Sequence, residues 1–188
     1  MLKRLGASLV LMGVFAGALQ AKDLPRNAEY WAIHYQSLQL MTPKPHQVDA
    51  HISMLCRGIV QKDLERAKAQ NGPHAQTSVM IYANPLAEKA LKAQARIYPP
   101  GSVIIKEKHP HFYQSLPSKE QIPSSIGGMI KREAGYDPEN GDWEYFYRTN
   151  QGALESGKMQ NCSACHSRVK SQDYVFKNWM HTPAPSSK

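Results

Sequence analysis

The chain has 188 residues, with 23 Lys and Arg against 15 Asp and Glu, and three cysteines. That length suits one domain. The basic residues are scattered and do not alternate with an aromatic platform, which argues against nucleic-acid binding; a mildly positive surface better suits an acidic partner or a small anion.

Residues 1–21 read as a secretory signal. Lys3 and Arg4 lead an apolar run from Leu5 to Leu19, and small residues offer cleavage after Ala18 or Ala21. The alternative is a retained anchor. The run is short for a span and no second apolar stretch follows, so no stable membrane insertion is expected after removal. Without Lys3 and Arg4, 21 basic side chains face 15 acidic ones, a net +6. The expected domain runs from 22 to 181, and residues 182–188 read as a frayed tail.

Asn27 to Met41 carries Tyr30, Trp31, His34, Leu38 and Met41 at helix-like spacing. Thr42-Pro43-Lys44-Pro45 breaks it. A second helix is expected from about Gln47 to Cys56, and a third over about Gln61 to Ala69. Cys56 sits in an apolar stretch and reads as a buried thiol. Ser78 to Ala83 reads as a strand, and Asn84-Pro85 caps a helix running to about Ala95. Val103 to Lys108 is a second strand, followed by a polar loop over 113–125. Ile126 to Glu133 and Trp143 to Arg148 form an antiparallel hairpin around the turn formers of 135–142. A short helix is expected around Asp173 to Trp179. The pattern is α+β: N-terminal helices, then a mainly antiparallel β-sheet of four to five strands, then a C-terminal helical segment.

That last segment carries Cys162-Ser163-Ala164-Cys165-His166. A C-x-x-C-H run is the attachment signature of a c-type haem. On a helical turn its three reactive side chains share one face, so two thiols can bond one haem edge and His166 can reach the iron. The expected cofactor is one covalent haem c, with Cys162, Cys165 and His166 as its binding residues and His166 as the metal ligand. Such attachment fits an exported protein, periplasmic or secreted. A thiol–disulfide protein is the rival reading, but it needs a thioredoxin-like βαβ setting, and none is visible.

Small electron carriers usually close the iron's other side with a downstream methionine. Only 22 residues follow His166, and Met180 is the one methionine among them. Met80, Met129 and Met180 read as packing residues. His109 and His111 flank Pro110 and read as loop residues. No sixth ligand is evident, and an iron with an open position binds small molecules.

Three segments, taken in order, resemble the cytochrome P-460 family, which includes the cytochromes c′-beta. They are Gly101-Ser102-Val103-Ile104-Ile105-Lys106-Glu107; the hairpin Met129-Ile130-Lys131-Arg132 with Gly135-Tyr136-Asp137-Pro138 and Gly141-Asp142-Trp143-Glu144-Tyr145; and the haem motif followed by Asp173-Tyr174-Val175-Phe176. The resemblance covers roughly residues 75–180. It implies a β-rich fold, one c-type haem, five-coordinate iron and a homodimer. In the family's catalytic branch a lysine is bonded to the haem macrocycle and hydroxylamine is oxidised to nitrogen oxides; the matching residue is Lys106, which also binds the cofactor. In the c′-beta branch the bond is absent and the protein binds nitric oxide or carbon monoxide. Oxidation would also need a base and a redox partner protein. Glu144, Glu107 and Asp142 are the candidate carboxylates, with Glu144 preferred because it shares a strand face with Phe146.

Overall fold

The structure, a computed structural model, describes residues 27–49, 76–109, 115–118 and 121–180. The expected signal, the helix over 61–69, Cys56, His111 and the tail lie outside these residues.

The centre is an antiparallel sheet of seven strands. These are β1 (Gln39–Leu40), β2 (His46–Asp49), β3 (Gln76–Ala83), β4 (Val103–His109), β5 (Ser125–Lys131), β6 (Trp143–Thr149) and β7 (Glu155–Gly157). The order is β1-β3-β4-β5-β6-β7, with β2 also pairing with β3. The four strands expected from the sequence are β3 to β6, and β5 and β6 form the expected hairpin. The additional strands β1, β2 and β7 are short. Among the described residues every pairing is antiparallel, so the βαβ setting of a thiol–disulfide protein is not found there.

Helix α1 (Ala28–His34) is capped by Asn27, whose side chain accepts a hydrogen bond from the Tyr30 amide. It is shorter than expected, because Tyr35–Ser37 tightens into a 3-10 turn and Gln39 enters β1. A helix was expected from about Gln47, but His46–Asp49 form a strand against β3. Helix α2 (Pro85–Lys92) begins as expected: Asn84 caps it and Pro85 occupies its first turn, where no amide partner is needed.

Both faces of the sheet are buried, which is why β4 reads as a nearly continuous buried run with only Lys106 half-buried. One face packs Val103, Ile105, Ile130 and Phe146 against Trp31, Ala32 and Tyr35 of the N-terminal segment. The other packs Val79, Ile81, Ile104, Met129, Trp143 and Tyr145 against α2 and the C-terminal segment. Period-two alternation therefore assigns each strand residue to one of two cores rather than to core or solvent.

Glycine is required at 128. A Cβ there would lie 2.1 Å from the Phe146 ring, which is itself only 1 % exposed. Gly128→Ala should destabilise the protein by about 1–3 kcal/mol through overpacking. Thermal unfolding read by circular dichroism checks this.

The candidate haem site

The haem motif lies on helix α3 (Gln160–His166). Cys162, Cys165 and His166 fall at i, i+3 and i+4, the spacing that puts them on one helix face. All three line a cavity of about 370 Å³ against the sheet. The floor is built from rows of paired residues. One row runs Ile81, Lys106, Gly127, Tyr147, and the next on one side runs Ala83, Ile104, Met129, Tyr145. On the other side His46, Val79, Lys108 and Ser125 form a third row. Gly127, between Lys106 and Tyr147 in the middle row, has no side chain, and a Cβ there would lie 3.4 Å from the Tyr147 ring.

The segment after α3 fixes His166. Its Nδ1 lies 2.6 Å from the Tyr174 carbonyl oxygen. A carbonyl only accepts, so Nδ1 carries the proton and Nε2 is left with the lone pair a metal needs. The His166 ring packs between Tyr145 and Phe176, each with its ring centre 5.1 Å away.

That carbonyl is presented by a turn rather than by the helix expected over 173–179. Asp173 and Tyr174 both adopt left-handed backbone angles, at φ 53° and 64°, which reverses the chain; only Asn178–Met180 returns to a helical turn. Left-handed conformations are unfavourable for residues other than glycine, so the pair must be held. Lys131 Nζ is 2.7 Å from both carboxylate oxygens of Asp173. The Tyr98 amide donates to the same carboxylate, and Trp143 Nε1 donates to the Asp173 carbonyl. Tyr174 Oη donates to the Glu139 carbonyl across the neighbouring turn.

Of the other candidates, Lys106 lines the cavity with the motif residues. Glu144 does not. It does share a face with Phe146, but Phe146 belongs to the core under α1, on the side of the sheet away from Tyr145. Glu144 forms an ion pair with Arg132 instead. Glu107 also faces α1, where Tyr35 Oη donates to it at 2.5 Å and His109 Nε2 lies 2.7 Å away. Burial pushes the Glu107 carboxyl up, but those hydrogen bonds outweigh it and hold the group below the usual carboxylate range. His109, expected in a solvated loop, is 1 % exposed because β4 extends through it. Asp142 accepts from the amides of Gly135 and Asp137 and organises the β5–β6 turn. Met180 packs against the core as expected, whereas Met129 is both core and cavity wall.

Two cavity residues were not anticipated. His46 was given no role, lying between the break at 42–45 and the helix expected from Gln47; as a strand residue it lines the cavity, and burial lowers the pKa of its imidazole below the usual histidine value. Tyr145 is 2 % exposed, and its hydroxyl has no hydrogen-bond partner within the protein.

These features fit a haem. The walls are mostly apolar, Val79, Ile81, Ile104, Val175 and Trp179 among them. His166 offers an oriented nitrogen with two thiols on the same helix, and a buried hydroxyl is left to meet a polar edge. A family model described as Cytochrome P460 matches residues 59–177, more than half of the chain.

The chain belongs to the cytochrome P460 family. It is a haem-binding cytochrome, and iron is its metal. The match begins upstream of the segments that carried the resemblance and ends just past Phe176. No curated protein matches the chain. In this P460 cytochrome the motif helix lines one side of the cavity and strands of the β3–β6 floor line the other. Among the described residues no helix is long and apolar enough to cross a membrane.

Proposed function

We propose that the chain is an exported mono-haem c-type cytochrome that binds small nitrogen compounds and oxidises hydroxylamine. The observation that carries this reading is that Lys106, the family-matched lysine, lines the same cavity as Cys162, Cys165 and His166. Cys162 and Cys165 would hold the haem covalently, His166 would ligate the iron through Nε2, and Lys106 would bond the macrocycle. When bound, the haem would supply the one-electron redox chemistry that oxidation of a small nitrogen compound needs.

The remaining work falls to the chain. The apolar walls exclude water, which strengthens every charge interaction inside. Oxidising hydroxylamine removes protons as well as electrons. His46, neutral because burial disfavours its charged form, takes the place first given to Glu144 as proton acceptor. A homodimer in the periplasm or outside the cell is the assembly we propose, with a redox protein as electron acceptor.

A second reading is a c′-beta-like protein that binds nitric oxide or carbon monoxide without turnover. It is favoured by one observation: among the described residues no Asp or Glu lines the cavity. Purified haem-loaded protein should reduce phenazine methosulfate when given hydroxylamine. Absence of turnover at full haem occupancy, with nitric oxide still bound, would favour the second reading.

A further inference from the structure

A groove of about 510 Å³ lies on the outer side of the His166 wall. One bank is the chain leaving α2, at Gln94 to Arg96; the other is the 3-10 segment after the motif, including Val169, Ser171 and Gln172. Lys177 bridges the banks, its Nζ donating to the Ala95 carbonyl at 2.8 Å. Among the described residues no Asp or Glu lines the groove. Arg96, Arg168 and Lys170 are exposed in these two segments, and the neighbouring Ile97 is 74 % exposed. Phe176 belongs to both the groove and the haem cavity, and its ring packs on that of His166.

The geometry points to an electron port: the groove between residues 94–97 and 168–177 docks an acidic one-electron carrier protein, with Phe176 as the thin wall between that carrier and the haem site. This rests on the redox reading above. Charge complementarity selects the occupant. A basic rim around a small apolar spot, with no carboxylate in the lining, attracts a carboxylate-rich surface and speeds encounter without tight binding. Transient redox pairs use small interfaces of this kind. In each event one electron leaves the reduced cytochrome and reduces the carrier by one electron; no proton or group is transferred.

The test uses haem-loaded protein and oxidised plastocyanin, an acidic blue-copper carrier whose copper(II) becomes copper(I). Arg96→Glu and Lys170→Glu are compared with Lys44→Glu, an exposed site on another segment that makes the same change in net charge. At low salt the second-order rate should fall roughly tenfold in each port variant and less than about twofold in Lys44→Glu, and the difference should vanish near 0.5 M salt. In an NMR titration with redox-inert zinc plastocyanin, amide shifts should gather at residues 94–97 and 168–172. An equal loss in Lys44→Glu, or shifts gathered elsewhere, would overturn the port. So would binding to phosphatidylglycerol vesicles that Arg96→Glu abolishes while leaving plastocyanin unaffected, since the face would then meet lipid. A wild-type protein with no reducible haem would instead overturn the redox reading, and the titration would still judge the surface.

Discussion

Asp173→Ala should be the most destabilising single change in the C-terminal segment, at about 3–5 kcal/mol, because it leaves the Lys131 ammonium buried without its counter-charge. The same substitution removes the acceptor of the Tyr98 amide. It also loosens the left-handed pair that aims the Tyr174 carbonyl at His166. Two readouts are therefore expected together. The melting temperature should drop by roughly 10 °C or more for a chain of this size. The haem absorption and electron paramagnetic resonance spectra should broaden or shift, because the imidazole loses its fixed orientation. Lys131→Met combined with Asp173→Ala should recover part of the stability, since removing both charges costs less than stranding one. If stability recovers in the double variant but the spectrum does not, the backbone turn itself orients His166. A single variant as stable as wild type would contradict the role given to the ion pair.

His46→Gln should lower hydroxylamine turnover about a hundredfold, the usual contribution of a positioned base. The pH profile carries the sharper signature. A proton acceptor works in its neutral form, and burial lowers the His46 pKa below the ordinary 6.5. Wild-type activity should therefore persist as pH falls past 6.5 and decline only in more acidic solution, as pH passes through the folded-state pKa. In His46→Gln that acid limb should disappear along with most of the rate. A wild-type low-spin spectrum that turns high-spin in His46→Gln would contradict this role, by making His46 an iron ligand.

Much of the architecture was legible because it rests on local chemistry. Asn84-Pro85 marks a helix start whatever surrounds it, and the turn formers of 135–142 force β5 and β6 together. The motif spacing likewise brought Cys162, Cys165 and His166 to one cavity. The misreadings come from information that alternation and composition do not carry. Period-two patterning correctly grouped Glu144 with Phe146, but it cannot say which of two buried faces holds the cofactor. His46 has no strand-like neighbours on its N-terminal side, where Pro43 and Pro45 lie, and only pairing with Val79 makes it a strand residue. The Asp173–Tyr174 reversal is stabilised by Lys131, 42 positions away. His109 is buried by the extension of β4 and by Glu107, partners that a window centred on Pro110 reads as loop.

In the haem site as proposed, Lys106 would be bonded to the macrocycle that Cys162 and Cys165 would anchor. Mass spectrometry of a tryptic digest of the haem-loaded protein tests this directly. The prediction is one species in which the peptide containing Lys106 is joined through haem to the peptide containing Cys162 and Cys165. Recovery of the unmodified Lys106 peptide at full yield, from protein whose haem is fully attached at both cysteines, would contradict it.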